Sequence, residues 1–172
     1  NGFEEVISNL FNSYNPDIKV VPVKGQYLTI DSSTLYKIKE IDGIEDVCQS
    51  LEEVVLFEYD GVQEAGYIKG IDENLNKVTN IDSTIIRGEY VLKQGNIDYA
   101  VLGSGMFNKL SIDPSDPIAT ITIYATTKKS SSLFSKDYNT GELYPAGVFS
   151  VGSEDDAQYI LADIAFVRNL LN

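Results

Sequence analysis

The fold of this chain is decided by residues 97–125, which have the sequence IDYAVLGSGMFNKLSIDPSDPIATITIYA. The apolar run at 97–102 predicts a buried strand, and the Gly103-Ser104-Gly105 that follows it predicts a tight turn. The spacing predicts a helical turn over 105–110, and alternating isoleucines predict a second strand over 119–125. We therefore expect a strand, a glycine turn, a short helix and a strand, in that order.

The composition of the chain argues against most kinds of catalytic site. Its 172 residues include no His and no Trp, one Cys and one Met. Because the commonest general base and metal ligand is missing, we expect no enzyme active site, no metal and no cofactor. The lone Cys48 is expected to be a buried small hydrophobic residue, with a reactive thiol as the alternative.

The charge of the chain narrows the choice of partners. With 13 Lys and Arg against 26 Asp and Glu, the formal net charge is −13. So few cations cannot build the continuous basic stripe that phosphate groups need, so we do not expect nucleic acid as a partner. Binding to an anionic membrane surface is disfavoured for the same reason.

A folded domain of a longer protein is the expected setting. A hydrophobic fraction of 43% and a charged fraction of 23% are typical of a globular protein with one core or two small lobes. No apolar run approaches the roughly 18–20 residues of a membrane span. The chain lacks an initiator Met and starts inside an amphipathic pattern, so we expect its parent to be longer.

The N-terminal part of the chain predicts a helix followed by two short strands. Apolar residues recur at helical spacing over residues 2–12, and Pro16 forbids continuation of that helix. Alternation of apolar and polar residues predicts strands over 17–23 and 26–30. A second helix is expected after Asp31, which can cap its start, and Gly43 is expected to stop it.

The clearest local signal is a β-hairpin. Two strand patterns over 51–59 and 62–71 flank Asp60-Gly61, a dipeptide that supplies the positive φ angles of a type I′ turn. Further along the chain, strands are expected over 147–152 and 159–162. Asp163 is expected to cap a closing helix whose apolar residues face inward.

Two patterns imitate ligand sites. Gly103-Ser104-Gly105 lies between a strand and a helix, as in a phosphate cradle, but the further Gly or Lys-Ser/Thr of known phosphate loops is missing. Residues 72–76 imitate the start of a calcium loop, but Lys77 replaces the turn Gly and Ser83 the bidentate Glu. We favour close packing at the first pattern and a solvated hairpin end at the second.

Clusters of carboxylates and serines are also expected to lack catalytic roles. Glu52 and Glu53 are neighbours on a strand, so their side chains point to opposite faces. The acidic run at 154–156 suits a loop or a helix start. The serines at 130–132 have no His to activate them, and a Ser–Lys dyad with the lysines at 128–129 lacks a fixed frame.

The strongest candidate for a binding site lies in a polar stretch rich in Ser, Thr and Lys. Residues 126–147 are expected to form a long excursion from the sheet. Apolar side chains inside such an excursion have no core of their own to enter, and a partner can bury them. The candidate partner-binding residues are Leu133, Phe134, Tyr138 and Tyr144. A surface loop without a partner is the alternative.

Three stretches of the chain together carry a family resemblance. They are Asn1-Gly2-Phe3-Glu4 with the amphipathic pattern behind it; residues 98–105 with Leu110 and residues 121–124; and residues 145–150 with 159–161 and 165–171. Together they resemble the MacB-like periplasmic domain of FtsX-like ABC transporter permeases, especially the lipoprotein-releasing permeases of the Lol type.

The resemblance implies an α+β fold with two lobes. Residues 1–75 and 151–172 would form a porter-like α/β lobe, and residues 76–150 an inserted, mostly β lobe of the Sabre type. In the family, the porter lobe receives a further βαβ-like piece after the closing helix, so its second half is expected to be missing here. The helix over 2–12 is expected to pack near the closing helix over 164–171.

The function implied by the resemblance is that of an extracytoplasmic domain of a type VII ABC transporter permease. Such a domain lies in the periplasm between the first two membrane spans of an inner-membrane protein. It engages substrate or a periplasmic partner and transmits ATP-driven motion, and lipoprotein release is the leading task. The implied partners are the cognate ABC ATPase, a second permease subunit and a periplasmic carrier or lipoprotein.

Other functions stay open at this point. Within the family, the alternatives are efflux of small molecules or peptides and cell-division signalling. Outside it, the alternative is a secreted adhesin-like or carbohydrate-binding β module. The excursion at 128–144 matches, in position only, a hairpin with which one Lol subunit holds the lipoprotein carrier.

Overall fold

The computed structural model of the chain describes residues 15–113, 116, 118–126 and 138–172, and β-strands dominate this part. The strands are β1 (Ser50–Tyr59), β2 (Val62–Ile71), β3 (Ile85–Gly88), β4 (Lys93–Gln94), β5 (Ile97–Gly103), β6 (Ile121–Thr126), β7 (Tyr138–Phe149) and β8 (Tyr159–Asp163). The helices are α1 (Ser32–Lys39), α2 (Leu75–Val78), α3 (Ser104–Lys109) and α4 (Ile164–Leu171), and 3₁₀ turns cover Ile81–Thr84 and Glu154–Ala157.

Six of the strands close into a barrel. They are hydrogen-bonded in the order β5-β7-β6-β1-β2-β8, and β8 pairs back onto β5. The β2–β8 and β5–β7 pairs are parallel, and the other pairs of the ring are antiparallel. Strands β3 and β4 extend the sheet outside the ring, beside β7 and β5. The architecture is a mixed, six-stranded closed β-barrel.

The expected α+β fold with a porter-like α/β lobe is therefore wrong. The longest helices of the described residues span eight residues, too few to cover the face of an open α/β sheet. The sheet instead buries one face by closing on itself. Strands β1, β2 and β8 come from the segments 1–75 and 151–172, and they pair with β5 and β6 from the segment 76–150. The division of the chain into those segments stays a prediction.

The predicted hairpin is confirmed and forms one wall of the barrel. Strands β1 and β2 pair in antiparallel register from Ser50–Ile71 to Tyr59–Val62. Asp60 and Gly61 connect them with φ angles of 48° and 80°, as a type I′ turn requires.

Alternate residues of the six strands fill the barrel interior. The inward side chains are apolar and almost fully buried, and they are Val55, Phe57, Ile68, Ala100, Leu102, Ile121, Ile123, Ala125, Leu143, Ile160 and Ala162. From α4, Val167 and Leu170 join the same core. Burial of each such Val, Leu, Ile or Phe stabilises the fold by about 1.5–3 kcal/mol relative to an exposed position.

A second apolar cluster lies on the outside of the barrel. Val101 and Leu161 point away from the interior, because their neighbours along β5 and β8 point into it. Leu75 and Ile81, from α2 and the first 3₁₀ turn, pack in the same cluster as these residues. The segment between β2 and β3 therefore covers one side of the barrel.

Several local predictions are confirmed. α1 begins after Asp31, whose carboxylate accepts a hydrogen bond from the Thr34 amide at 2.7 Å. α4 begins after Asp163, which accepts a hydrogen bond from the Ala165 amide at 2.8 Å. The order strand, glycine turn, helix and strand is found as β5, α3 and β6. The predicted helix over 2–12 lies outside the described residues.

Two other local predictions are wrong. Residues 17–23 and 26–30 form no strand, and Val23 leaves 99% of its surface exposed. Residues 138–147 are not an excursion, because β7 begins at Tyr138 and pairs with β6 from there. Of the polar residues that suggest a loop, Thr140 and Glu142 occupy outward positions of β7, where a half-buried strand tolerates them, and Asn139 bonds to the Leu170 carbonyl.

Candidate partner-binding site

The structure places two of the four predicted partner-binding residues, and it does not bring them together. Tyr138 and Tyr144 both point outward from β7, six positions apart. At the rise of a β-strand, their Cα atoms are about 20 Å apart. Leu133 and Phe134 lie outside the described residues. The prediction that these four residues bind a partner stays open.

Tyr138 belongs to an aromatic pair at the ends of β6 and β7. Its ring meets the ring of Tyr124 edge-on, with the centroids 5.5 Å apart and an interplanar angle of 71°. Tyr138 leaves 58% of its surface exposed. A hydrogen bond to the Glu58 carboxylate raises the pKa of the Tyr124 hydroxyl above its ordinary value. The pair is held in place on one side and open to solvent on the other.

Tyr144 lies beside a different tyrosine. In the parallel β5–β7 ladder it is the register partner of Tyr99, and the two rings are tilted at 57° with centroids 6.3 Å apart. Tyr144 leaves 40% of its surface exposed. The two predicted tyrosines therefore lie in separate aromatic pairs.

The register reveals a surface that the sequence analysis missed, which we name the tyrosine face. It consists of the outward residues of β2, β1, β6 and β7, three from each strand, in three rows across the barrel wall. Two rows cross all four strands, Gln63–Glu58–Thr122–Glu142 and Ala65–Leu56–Tyr124–Thr140, and the third is interrupted between β1 and β6 and consists of the pairs Tyr67–Val54 and Thr126–Tyr138. The alternation along β1 and β6 was a usable signal, but the order of the strands could not be read from it.

The centre of the tyrosine face is apolar, and its margin along the first row is acidic. Val54 leaves 53% of its surface exposed beside its register partner Tyr67 in the third row. Glu58 and Glu142 lie in the first row, and no Lys or Arg is among the twelve residues of the rows. Gln63 donates a hydrogen bond to Glu58 at 2.9 Å. The face therefore offers aromatic and aliphatic contact area beside two negative charges.

A charged network borders the tyrosine face. The Glu52 carboxylate lies 3.4 Å from the Lys69 ammonium and 3.5 Å from that of Lys19. Burial opposes ionisation of Glu52, but Lys69 and Lys19 outweigh it and hold the pKa of this carboxyl below its ordinary value. Tyr159 donates a hydrogen bond to Glu52 at 3.3 Å and stacks on Tyr67 with centroids 5.1 Å apart. Burial, and then the charge of Glu52, raise the pKa of Tyr159.

Glu53 has different partners from Glu52, as expected for neighbours on a strand. Its carboxylate accepts hydrogen bonds from the Gln26 amide at 2.8 Å and from the Tyr27 hydroxyl. Burial and the bond to Glu53 raise the pKa of Tyr27 to about 12. The two carboxylates therefore bind different side chains and do not form one site.

The glycine turn after β5 is a packing device, which confirms the close-packing interpretation. A Cβ at Gly103 would lie 2.3 Å from the carbonyl oxygen of Asp156, and one at Gly105 would lie 2.7 Å from the Cα of Ala157. The main chain of the second 3₁₀ turn thus packs directly against both glycines.

The acidic run at 154–156 has a structural role. Asp156 is buried, and its carboxylate accepts three hydrogen bonds, from the Ser150 hydroxyl and the Val151 amide at 2.8 Å and from the Gly152 amide at 3.0 Å. These bonds close the turn between β7 and β8. The Asp156 carboxylate is therefore used in hydrogen bonds to the protein's own residues.

The pattern at 72–76 is likewise used by the fold. The Asp72 carboxylate accepts hydrogen bonds from the Gln49 amide at 2.8 Å and from the Asn74 amide at 3.0 Å. Leu75 begins α2 and is buried, so the segment is part of the packed wall. Across the described ranges, no three His, Cys, Asp or Glu side chains are grouped so as to hold a metal ion.

Cys48 is half-buried and poorly suited to act as a nucleophile. Burial raises the pKa of its thiol, and the nearby Asp72 carboxylate raises it further, against an opposing effect of Lys69. The thiolate is the reactive form of cysteine. The side chain therefore behaves as a small packing residue beside the outer apolar cluster.

A depression lies between β7 and α4. It is lined by Asn139, Thr140, Gly141, Phe166, Asn169, Leu170 and Asn172. The Asn139 amide donates a hydrogen bond to the Leu170 carbonyl at 2.8 Å and so satisfies the last turn of α4.

Within the described part of the chain, none of the helices is long and apolar enough to cross a membrane.

Comparison with known proteins gives no family for this chain. No family model matches the sequence, and no curated protein matches it.

Proposed function

We propose that this chain is an extracytoplasmic domain of a type VII ABC transporter permease. In this role it engages a substrate or a periplasmic partner and transmits ATP-driven motion between that partner and the membrane. Lipoprotein release is the leading task, with the cognate ATPase and a second permease subunit as partners through the parent protein. The domain supplies contact surfaces and no catalytic residues.

One observation carries the proposal. Two of the stretches on which the resemblance rests occupy consecutive elements of the chain that belong to the same barrel: 98–105 covers β5 and the start of α3, and 121–124 lies in β6. Leu110, which ends the short helix, is fully buried in the barrel core. Residues from both stretches, Ala100, Leu102 and Ile123, pack with Leu110 in one core, and this common packing unit supports the proposal.

The architecture suits a body that transmits force. A closed barrel has no free edge within its ring, so its strands cannot be peeled apart one at a time. Its interior is filled by side chains, and close-packed interiors are stiff. A displacement of one end of the barrel therefore moves the other end with little deformation of the barrel between them.

Because the interior of the barrel is filled, a partner contacts its outer surface and its loops. Thr126 ends β6 and Tyr138 begins β7, and these two residues are register partners. Residues 127–137, with Leu133 and Phe134, connect them. The proposal assigns partner contact to this end of the hairpin.

The test of the proposal is the membrane topology of the parent protein. We expect one membrane span directly before Asn1 and three spans after residue 172, and co-purification of an ABC ATPase with the full-length parent in detergent. Topology is read from the parent reading frame and from reporter fusions on either side of each span. A signal peptide with no spans in the parent would contradict the proposal.

A further inference from the structure

The tyrosine face exposes contiguous apolar side chains, as partner-binding surfaces do. Isolated apolar residues are common on protein surfaces, whereas contiguous ones mark interaction sites. Here Val54 of β1 and Tyr138 of β7, on either side of β6 in the interrupted third row, leave 53% and 58% of their surfaces exposed. Leu56 and Tyr124 are direct register partners in the adjacent row. Four outward side chains of this size on adjoining strands form one contact area.

The charge of the tyrosine face indicates which class of partner it binds. The twelve outward residues include two carboxylates and no cation, on a chain whose net charge is −13. A second copy of the chain would bring the same charge and be repelled, and anionic lipid would be repelled for the same reason. A basic polypeptide is attracted both by the whole chain and by this margin.

The side chains favour arginine over lysine. A guanidinium group stacks on an aromatic ring and pairs with a carboxylate through parallel hydrogen bonds, which the compact ammonium of lysine cannot do. Tyr124 is hydrogen-bonded to Glu58, so a ring and a carboxylate are already held side by side. Glu142 is in the same row as Glu58, two strands away, and offers a second anchor.

We infer that the tyrosine face binds an arginine-bearing, basic segment of a partner protein. Guanidinium groups stack on Tyr124 and Tyr138 and pair with Glu58 and Glu142, while aliphatic side chains of the partner cover Val54 and Leu56. The inference rests on the proposed function only in taking the domain as a partner-engaging module. It does not depend on the parent being a permease.

The probe is an acetylated, amidated peptide with four Arg-Ser repeats, with Lys-Ser and Glu-Ser peptides as comparisons. Each peptide is titrated into the 15N-labelled 172-residue chain at physiological salt, and backbone amide shifts are followed by NMR. We expect the Arg peptide to shift amides of β1, β6 and the start of β7, and the Lys peptide to bind at least about threefold more weakly. The Glu peptide is expected not to bind.

Matched variants separate the face from the overall charge. Glu58→Gln with Glu142→Gln removes two charges on the face, and Glu40→Gln with Glu73→Gln removes two elsewhere. We expect the first pair to weaken binding of the Arg peptide by about tenfold and the second by less than twofold, since rim charges remote from a contact matter little. Equal losses in the two pairs would show attraction by net charge alone and overturn the inference.

An aromatic pair of variants tests the stacking. Tyr124→Val with Tyr138→Val keeps strand-forming residues, and Tyr36→Val changes an exposed tyrosine on α1. We expect the first to weaken binding of the Arg peptide by about tenfold and the second to leave it unchanged. Unchanged binding by the folded double variant, checked by its NMR spectrum, would also overturn the inference. Because both tests use the isolated chain, their failure leaves the expected topology of the parent untouched.

Discussion

Gly103 lies against the main chain of Asp156, so closely that a Cβ on the glycine would come within 2.3 Å of the Asp156 carbonyl oxygen. This contact joins the end of β5 to the turn that precedes β8. The two strands are also neighbours in the barrel, with Leu102 opposite Ile160. The contact between Gly103 and Asp156 therefore fixes where the barrel closes.

Gly103→Ala is expected to destabilise the fold. The obstacle is main-chain oxygen, which cannot rotate away as the end of a side chain can, so β5 or the turn must shift. We expect the free energy of unfolding to fall by about 1–3 kcal/mol, as for other overpacked sites. Urea denaturation measures it, with Ser104→Ala as the control, whose effect should stay within about 0.5 kcal/mol. Equal stabilities of the two variants would contradict the contact.

Asp156→Asn is expected to loosen the turn between β7 and β8. The carboxylate accepts three hydrogen bonds with its two oxygens, whereas an amide offers one oxygen as acceptor and places an NH₂ group against a donor. We expect a loss of about 1.5–3 kcal/mol in the free energy of unfolding, because the site is buried and charge-assisted. Thermal and urea unfolding measure it. The exposed neighbour Glu154→Gln serves as control and should change stability little.

The sequence predicted those parts of the fold that depend on neighbours along the chain. The Asp60-Gly61 hairpin, the Asp31 and Asp163 caps and the β5–α3–β6 order follow from turn chemistry and periodicity. Barrel closure depends on pairing of β5 with β7 and of β2 with β8, between segments distant in the chain. Period-two patterns give the faces of a strand but not its neighbours, so the expected α+β fold with a porter-like α/β lobe rests on the family resemblance, and the pairing of the strands contradicts it.

The candidate site was predicted in part for the same reason. Tyr138 was singled out as an apolar residue in a polar stretch, but that stretch proved to be the outward side of β7. Its companion Tyr124 belongs to the preceding strand β6, but Leu56 and Val54 belong to β1, which is distant in sequence. Only the register of four strands shows that these side chains form one surface.

Glu52→Gln is expected to change how stability depends on pH. The pKa of Glu52 is depressed in the folded state, so between that pKa and about 4.3, the ordinary value, the unfolded chain binds more protons. The contribution of Glu52 is therefore fully present above the ordinary value and is lost as the pH falls through the folded-state pKa. We expect Glu52→Gln to cost about 0.5–1 kcal/mol at pH 7, the range of partly exposed ion pairs.

The measurement is urea unfolding of both proteins between pH 7 and pH 3. The difference in unfolding free energy between the original chain and Glu52→Gln should shrink as the pH falls below about 4.3. Glu73→Gln, at an exposed position, is the control and should show no such trend. A difference that stayed constant over the whole range would assign the loss to packing and not to the ion pairs with Lys19 and Lys69.

If the proposed function is correct, Phe134→Ala combined with Tyr138→Ala is expected to weaken capture of the periplasmic partner that it proposes. Aromatic residues at the centre of an interface commonly carry more than about 1 kcal/mol each, so we expect at least about fivefold weaker binding in pull-down from periplasmic extract. Folding stability should change little, because Tyr138 already leaves 58% of its surface exposed. Tyr36→Ala, on α1 and 66% exposed, is the matched control. Equal capture by the double variant and the control would leave the segment between β6 and β7 as a surface loop without a partner.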